Sequence, residues 1–502
     1  MLLTKTNYLL YRECPQNTWV KIFAPDIYHA QPLSAFDQMI MSTGSEVDEL
    51  ARQLFPGGVL VQNRRDDALT KKLINERQEI IYQPVFWTDK FETIADIIVW
   101  NKEKNAYDVY EAKSTNSESE GRNKKKNNDL YSHDLAFQIN VLKQLAIPVN
   151  KYYIVRLNSE YVRADKLNIK ELFSIEDFTD RVTDLLTDVR AEMDNAYDLL
   201  KPENKPRGCS CLTKGRSAHC TSFRHLNPEV PAYGVHDIVR IGASPKKLAE
   251  LVDSRIYSLD DVPEEFELTE IQRNQVDAAQ SQKIHLDLPG LAEFLDTVKY
   301  PISFLDYETF PAAVPRFAGY RPYVHIPFQF SLHVLETPAA ELRHYEFLHA
   351  QNTKPDSAFL AALQKMLPDK GSVIVWNKTF ESGINEQLAK RNEAFESFIA
   401  QVNGRIVDLE DPFKKQFYVH PGFHGKTSIK YVLPTLCPGF SYSALNIREG
   451  GTACETWNKT VTGDGTDQEK TKNIRDLLDY CELDTLAMFQ IWKHCLALLQ
   501  NQ

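Results

Sequence analysis

The sequence predicts an α/β protein in which two mixed regions are joined by a helical one. Short segments rich in β-branched and aromatic residues, typical of strands, alternate with segments whose apolar residues recur at helical spacing. The chain has 502 residues, 43% of them hydrophobic and 25% charged, which is enough for several separate cores. Most of the acidic surplus lies in residues 229–300, between two nearly neutral regions.

The strand and helix patterns divide the chain into residues 1–228, 229–298 and 299–502. In the first region, residues 34–55 have helical spacing, and three strand-like segments follow: EIIYQPVFW, TIADIIVW and YDVYEAKS. The second region is an acidic helical connector whose short helices are separated by Pro and Asp. The third region begins with strand-like segments and ends in the long helical segment of residues 473–499. We therefore expect an α/β domain on each side of the connector.

Composition bounds the partners and the compartment. No run of 18 apolar residues occurs, so no membrane partner is expected. The eight cysteines have no spacing typical of a disulfide framework, which favours the cytoplasm and makes clustered cysteines candidate metal ligands. The net charge of −11 does not exclude nucleic acid, because charge distribution matters more than the sum. The basic run Lys124, Lys125 and Lys126 is predicted to be a solvated loop.

The segment FLDYETF places two acids, Asp306 and Glu308, on one face of an apolar strand. Residues two apart on a strand share a face, so these carboxylates repel each other unless a cation lies between them. A divalent metal is the usual partner for such a pair, since hard cations prefer carboxylate oxygens. The alternative is a strand end whose acids face water.

Further candidate residues of region three lie at a strand-to-helix break and on the last helix. Glu381 is predicted near the first turn of a helix, where it is also a favourable charge. Tyr480 and Asp484 are four residues apart and share one helix face. Asp408 is a candidate spare ligand, and its alternative interpretation is a strand-end acid. Lys426 and Lys430 are candidates for phosphate contacts, and their alternative interpretation is a solvated turn.

These three motifs, taken in order, resemble those of the DEDDy 3'-to-5' exonucleases, which have a ribonuclease H-like fold. The resemblance covers about residues 300–497, and it departs from the family at Glu381, where Asp is usual. It implies two-metal hydrolysis of phosphodiester bonds with Mg²⁺ or Mn²⁺. Asp306, Glu308, Glu381 and Asp484 would be the ligands, and Tyr480 would orient the attacking water.

Region one contains a predicted hairpin with its own acid and lysine pattern. Asp96 is placed in the first strand, and Glu111 and Lys113 share one face of the second, so Asp96 is expected to meet them across the hairpin. Downstream, Asp134 and Gln138 lie one helical turn apart. An isolated Glu-x-Lys has little value, so this prediction depends on the whole arrangement.

This arrangement resembles the RecB-like branch of the PD-(D/E)XK nucleases, which have a restriction-endonuclease-like fold. The resemblance implies that Asp96 and Glu111 bind Mg²⁺ or Mn²⁺, that Lys113 orients water or stabilises charge, and that Gln138 supports the site near the DNA. The family often carries a helical His where this chain has Asp48. Glu46 and Glu79 are further candidate ligands, and an exposed-surface position is the favoured interpretation of both.

Four cysteines bracket the first region. Cys14 precedes the hairpin, and three others form one loop: Cys209, Cys211 and Cys220. The pattern resembles CRISPR-associated RecB-like exonucleases, which implies a four-iron four-sulfur (4Fe-4S) cluster on these four thiolates. The alternative is zinc held by the three loop cysteines with His219 or His225. The remaining cysteines, with no ligand spacing, are predicted core thiols: Cys437, Cys454, Cys481 and Cys495.

Nearly the whole chain therefore resembles a bacterial two-domain family that joins a RecB-like nuclease domain to a DEDDy exonuclease domain. We expect a metal-dependent DNA exonuclease that cuts 3'-to-5' with its C-terminal region and carries a second nuclease site in its N-terminal region. RNA is the alternative substrate. A different class is a nucleic-acid-binding or scaffolding protein in which one or both sites are inactive, and the departures at Glu381 and Asp48 keep it open.

Overall fold

The computed structural model describes residues 1–30, 33–65, 67–117, 122–463 and 465–500. It is a mixed α/β structure with a large sheet in each region where the sequence predicts strands. Within those ranges, no helix has both the length and the apolar character needed to cross a lipid bilayer.

The first region contains a six-stranded sheet and a small three-stranded one. Its helices are α1 (Lys5–Glu13), α2 (Pro15–Phe23), α3 (Pro25–Tyr28), α4 (Ala35–Arg52), α5 (Asp67–Asn75), α6 (Arg122–Gln144), α7 (Ile169–Leu172), α8 (Thr179–Leu199) and α9 (Phe223–Leu226). Its strands are β1 (Leu3–Thr4), β2 (Val59–Leu60), β3 (Ile80–Tyr82), β4 (Val85–Trp87), β5 (Phe91–Ile94), β6 (Ile97–Asn101), β7 (Ala106–Asn116), β8 (Val149–Leu157) and β9 (Phe173–Asp177). The strand orders are β2-β3-β6-β7-β8-β9 and β1-β5-β4.

Two of the predicted strand segments are each split between these sheets. Residues 79–87 break between β3 and β4, where Gln83 has a φ of 51° and Pro84 has no N–H to donate. Residues 93–100 break at the same level, between β5 and β6. Asp96 therefore lies in the bend before β6 and not inside a strand, which corrects the sequence prediction. The predicted hairpin itself is confirmed as β6 paired antiparallel with β7.

The connector contains three α-helices and one short strand, separated by turns. Its elements are α10 (Pro245–Asp253), α11 (Glu270–Ser281), β10 (His285–Leu286) and α12 (Leu288–Asp296). Leu248, Leu251 and Val276 belong to a core that the connector builds largely from its own residues. Its last part behaves differently, because β10 pairs with a strand of the third region and Leu291 of α12 joins that region's core.

The third region contains a five-stranded sheet between two layers of helices. The strands of this sheet are β11 (Ile302–Pro311), β12 (His325–Leu335), β13 (Arg343–Leu348), β14 (Ser372–Val375) and β15 (Ile406–Asp408). A sixth strand, β16 (Tyr418–Val419), pairs with β10 of the connector. Its helices are α13 (Asp356–Met366), α14 (Lys378–Arg391), α15 (Glu396–Asn403), α16 (Asp411–Lys414), α17 (Ile429–Leu436), α18 (Gly450–Thr462) and α19 (Asp467–Gln500). The sheet order is β13-β12-β11-β14-β15, antiparallel through the first three strands and parallel through the last three.

Alternation along β11 decides which side chains reach which helical layer. Phe304 packs in the core with α17, α18 and α19, whereas Leu305 and Tyr307 pack in the core with α13, α14 and α15. Asp306 and Glu308 have the same parity as Phe304, so they point towards α19. The face of β11 that carries Asp306 and Glu308 is therefore covered by helices and does not face water.

The first and third regions contact each other directly. Val47 and Ala51 of α4 pack in one apolar core with Ala313 and Val314, which follow β11. The Tyr323 hydroxyl donates a hydrogen bond to the Ser114 carbonyl at the end of β7. The segment between β11 and β12 thus joins the strand that carries Asp306 to the strand that carries Lys113.

Candidate metal centres

Asp306, Glu308 and Asp484 meet between β11 and α19. One oxygen from each carboxylate lies within 4.8 Å of the other two. The β11–β12 pairing changes register directly after Glu308, a local irregularity of the kind that re-aims side chains near functional sites. The expectation that these three acids come together is confirmed, and the cluster has the donor set of a divalent-cation site.

Little solvent reaches this cluster. Glu308 and Asp484 are 8% and 7% exposed. Burial, together with Asp484 and the other nearby acids, raises the pKa of both Asp306 and Glu308 well above the ordinary values. Burial also raises the pKa of Asp484, to about 6, although hydrogen bonding and Lys430 oppose the shift. Carboxylates this close relieve their repulsion either by holding protons or by binding a cation such as a divalent metal.

Two tyrosines flank Asp484. The predicted Tyr480 lies one helical turn before it and is 4% exposed. Tyr442, which the sequence analysis missed, donates a hydrogen bond from its hydroxyl to Asp484 Oδ1. The segment around Tyr442 is a short turn with no periodic pattern, so only the three-dimensional arrangement reveals its role.

Lys430 lies beside the two tyrosines of this cluster. Its Nζ atom lies 5.7 Å from the centre of the Tyr442 ring and 5.6 Å from that of Tyr480. Its positive charge lowers the pKa values of Glu308 and Asp484 against the effect of burial. Lys426 instead donates to the Tyr431 hydroxyl at 2.9 Å and is exposed, as a solvated turn requires.

Glu381 lies close to the cluster but outside the 4.8 Å group. It is in the first turn of α14 and is 4% exposed, and its Oε2 atom has no hydrogen-bond partner among the described residues. Burial, with a contribution from Asp408, raises its pKa to about 8. Asp408 ends β15 and accepts backbone N–H groups from Lys378 and Glu410, which matches its interpretation as a strand-end acid. Glu381 is thus a buried acid with one free oxygen.

Removing the Tyr442 hydroxyl is expected to destabilise the fold. A hydrogen bond to a buried charged group contributes about 1.5–3 kcal/mol, so Tyr442→Phe should lower the free energy of unfolding by about that amount, measured by denaturant unfolding. Tyr431→Phe, whose ring is partly exposed, is the matched control and should change stability far less. Equal losses in the two variants would contradict the proposed contact with Asp484.

The acid and lysine residues of region one also come together. The Lys113 Nζ atom lies 2.8 Å from Glu111 Oε1 and 2.6 Å from Asp134 Oδ2. Asp96 Oδ2 accepts the backbone N–H of Ala112 at 2.8 Å, which places Asp96 across the hairpin as predicted. Burial and the charge of Glu111 raise the pKa of Asp96 to about 7.

Gln138 is a positioning residue and not a surface contact. It is fully buried, and its amide donates to Glu111 Oε2 at 2.8 Å and to Asp134 Oδ1 at 2.9 Å. Gln138 has no exposed surface with which to reach a substrate. The prediction that Gln138 lies near the DNA is therefore wrong. Its role in the fold is to orient two carboxylates.

A second lysine, missed in the sequence analysis, lies at this site. Lys5, the first residue of α1, is 2.7 Å from Glu111 Oε1 and 3.3 Å from Asp134 Oδ1. Burial alone would lower its pKa, but Asp134 and Glu111 outweigh burial and raise it. No sequence pattern signals this contact, because Lys5 is 106 residues from Glu111.

Asp48 takes part in the site through a bridge. The Gln83 amide donates at 3.2 Å both to Asp48 Oδ1 and to Asp96 Oδ1, so the residue at the position of the family's His lies beside the hairpin acid. Glu46 and Glu79 are exposed, and Glu79 forms an ion pair with Lys102 at 3.5 Å. Their exposed-surface interpretation holds. Lys124, Lys125 and Lys126 are exposed as well, but they lie at the start of α6 and not in the predicted loop.

The four bracketing cysteines form one cluster. The sulfur atoms of Cys14, Cys209, Cys211 and Cys220 all lie within 4.8 Å of one another. Cys14 stands between α1 and α2, so the cluster ties the start of the chain to the loop before α9. Hydrogen bonds from Cys209 and Cys220 lower the pKa of Cys14, while burial and the charge of Cys14 raise that of Cys211 to about 11. Such a thiol set is a possible metal site.

The histidines of the zinc alternative do not join this cluster. His219 Nε2 lies 2.9 Å from the Lys214 carbonyl, and the imidazole stacks on Phe223. His225 is exposed and belongs to no group of metal-ligating atoms among the described residues. Cys14, and not a histidine, is the fourth member of the group with Cys209, Cys211 and Cys220, so the predicted zinc ligand set with His219 or His225 is wrong. The other four cysteines also lie outside any such group in the described chain, and Cys481 Sγ lies 3.7 Å from Asp306 Oδ2.

Comparison with known proteins gives two similarities. Residues 303–428 match the family described as "Domain of unknown function (DUF2779)". The chain is also 23% identical over 396 residues to "Uncharacterized protein MG366 homolog" of Mycoplasma pneumoniae (strain ATCC 29342 / M129 / Subtype 1), an alignment that covers 68% of this chain and 59% of that protein. The family match includes Asp306, Glu308 and Glu381 but ends before Tyr480 and Asp484. Neither description states an activity.

Proposed function

We propose that this chain is a metal-dependent nuclease and that its C-terminal region is a 3'-to-5' DNA exonuclease. The observation that carries the proposal is the meeting of Asp306, Glu308 and Asp484 within 4.8 Å, beside Tyr480, in a site with little solvent. Three carboxylates this close together, two of them buried, are electrostatically unfavourable when all are charged and no cation is bound. A protein retains such an arrangement when a bound metal uses it.

The strand order supports the ribonuclease H-like assignment. Three antiparallel strands followed by two parallel ones, in the order β13-β12-β11-β14-β15, form the scaffold. Asp306 and Glu308 lie on the central strand, and Asp484 lies on the last helix, which is the arrangement expected from the resemblance to DEDDy exonucleases. Counted from β11 along the chain, the five strands stand in the order 3-2-1-4-5 across the sheet.

The residues of this site divide the work of phosphodiester hydrolysis among them. Asp306, Glu308 and Asp484 would hold Mg²⁺ or Mn²⁺, which would supply water activation and charge stabilisation at the phosphate. Tyr480 positions the attacking water with its hydroxyl, since burial and Asp484 raise the pKa of this phenol and keep it neutral. Lys430 is placed to meet a phosphate of the substrate. Glu381, with a free buried oxygen, is the proposed fourth ligand.

For the N-terminal region we propose a second, RecB-like PD-(D/E)XK site that uses Asp96, Glu111 and Lys113. One observation favours the alternative that this site is inactive. Lys5 and Lys113 both contact Glu111 and Asp134, so these carboxylates already have positive partners without a metal. Binding of Mg²⁺ here would require Lys5 to leave Glu111, whereas in the described part of the chain no lysine forms an ion pair with Asp306, Glu308 or Asp484.

For the cysteine cluster we propose zinc in preference to a 4Fe-4S cluster. The sulfur atoms of Cys209 and Cys220 are 3.9 Å apart. A tetrahedral ion with Zn–S bonds of about 2.3 Å separates its sulfur ligands by about 3.8 Å. An iron–sulfur cluster occupies the space between its thiolates, so four sulfurs within 4.8 Å of one another would have to move apart to hold it. The cluster geometry therefore fits a single ion.

Metal removal is the experiment that separates enzyme from binding protein. End-labelled DNA and RNA are each incubated with the protein in Mg²⁺, in Mn²⁺ and in EDTA. We expect loss of labelled DNA with either metal and none in EDTA. Degradation of RNA alone would replace DNA by RNA as the substrate. Retained binding of DNA without hydrolysis under every condition would favour the nucleic-acid-binding class and contradict the nuclease proposal.

A further inference from the structure

A third group of metal-ligating side chains lies on the opposite side of β12 from β11. His333 of β12 and His344 of β13 are direct partners in the antiparallel ladder, and their rings stack with centroids 4.4 Å apart. Glu482 of α19 completes the group, because His344 Nδ1 lies 3.8 Å from Glu482 Oε1. One donor atom from each of the three side chains lies within 4.8 Å of the other two. None of these residues belongs to the carboxylate cluster described above.

A chain of hydroxyl groups orients both imidazoles. His333 Nδ1 lies 2.8 Å from Thr485 Oγ1, Thr485 Oγ1 lies 2.7 Å from Ser331 Oγ, and Ser331 Oγ lies 2.9 Å from His344 Nε2. Thr485 donates its own proton to the Glu482 carbonyl at 3.1 Å, so it accepts from both His333 and Ser331. Ser331 in turn accepts from His344. The ring nitrogens left with lone pairs are His333 Nε2 and His344 Nδ1.

This pattern is the one that metal-ligating histidines use. A histidine that binds a metal through one nitrogen donates its other N–H to a fixed partner, which sets the tautomer and the ring orientation. Here both imidazoles have such a partner inside the helix–sheet interface. The two open edges differ in exposure: His333 is 4% exposed, whereas the side chains of His344 and Glu482 are 23% and 40% exposed. An ion can therefore enter from solvent.

We propose that His333, His344 and Glu482 form a binding site for one borderline divalent transition-metal ion, for which Zn²⁺ is the probe. Two imidazoles and one carboxylate favour such an ion over Mg²⁺, which prefers oxygen ligands alone. Three protein ligands leave a position open to water. The ion joins β12, β13 and α19, and Glu482 lies between Tyr480 and Asp484 on α19. The site thus holds the helix that carries the proposed nuclease residues.

Zinc stoichiometry tests this proposal. The protein, with its cysteine cluster as isolated, is dialysed against Zn²⁺ in a large excess of Mg²⁺, and bound zinc is measured by elemental analysis. We expect the wild type to retain one Zn²⁺ per chain more than either His344→Ala or Glu482→Gln. His225→Ala, an exposed histidine outside every group, is the matched control and should bind as the wild type does. Glu482→Gln changes only a half-exposed side chain, so it tests ligation even where His344→Ala disturbs the strand.

Thermal unfolding gives a second readout. Saturating Zn²⁺ should raise the Tm of the wild type and of His225→Ala by about 3 °C or more, since a ligand that binds only the folded state stabilises it. The rise should be lost in His344→Ala and Glu482→Gln. Equal zinc content and equal shifts in all four proteins would overturn the proposal. Neither readout depends on hydrolysis, so the result is separate from the nuclease assignment.

Discussion

Replacing Asp306 with Asn is expected to reduce metal-dependent DNA hydrolysis about 10³-fold, equivalent to about 4 kcal/mol of transition-state stabilisation. The amide keeps the shape of the side chain but loses the charge with which Asp306 binds a divalent cation. Because Asp306 lies within 4.8 Å of Glu308 and Asp484, its loss leaves a cluster with one ligand fewer. The rate is measured as kcat on labelled DNA in Mg²⁺.

The same substitution is expected to stabilise the metal-free protein. Burial and the neighbouring acids raise the pKa of Asp306, and an acid whose pKa is raised by folding destabilises the fold at pH values above its ordinary range. Removing that charge should therefore increase the free energy of unfolding in EDTA at pH 7, by about 1–2 kcal/mol. Asp369→Asn, an exposed acid of the same region, is the control and should change neither quantity. Loss of activity together with loss of stability would mark Asp306 as structural.

Replacing Cys14 with Ser is expected to release the metal of the cysteine cluster and to weaken the first region. Structural zinc contributes about 10–16 kcal/mol in small zinc-finger peptides. Here the cluster fixes one corner of a region that has its own core, so we expect a loss of about 3–5 kcal/mol in the free energy of unfolding. Zinc content and denaturant unfolding are the two measurements.

Cys437→Ser is the matched control for this loss. Cys437 lies outside every group of metal-ligating atoms among the described residues, so its replacement should leave the zinc content unchanged. If Cys14→Ser retained zinc at the wild-type level, the cluster would not use Cys14 and the tie between the start of the chain and the loop before α9 would be wrong. Iron and sulfide in place of zinc in freshly isolated protein would contradict the single-ion proposal.

Elements with a strong periodic pattern could be predicted from the sequence. The helix over residues 34–55 is observed as α4, which begins after Ser34, whose side chain accepts the Asp37 N–H, and the long last helix is α19. The strand over 325–336 is β12. The predicted strands over 79–87 and 93–100 are each split, because a break in mid-segment moves the chain from one sheet to the other. Periodicity reports which residues are apolar but not which sheet they join.

The candidate sites show the same limit. Asp306 with Glu308 and Glu111 with Lys113 are two residues apart, so strand geometry alone places each pair on one face. The position of Asp96 in a bend, and the contacts made by Lys5 and Tyr442, depend on packing between elements far apart in the chain. Helical spacing places Gln138 beside Asp134, but only the structure shows that Gln138 is buried and orients Glu111 from inside.

The most direct test of the central proposal is the product ladder from 5'-labelled DNA in Mg²⁺, compared among the wild type, Asp306→Asn and Lys113→Ala. We predict that the wild type shortens the DNA from its 3' end, that Asp306→Asn does not, and that Lys113→Ala still does. A 3'-to-5' ladder that Asp306→Asn leaves unchanged would contradict the assignment of that activity to Asp306, Glu308 and Asp484.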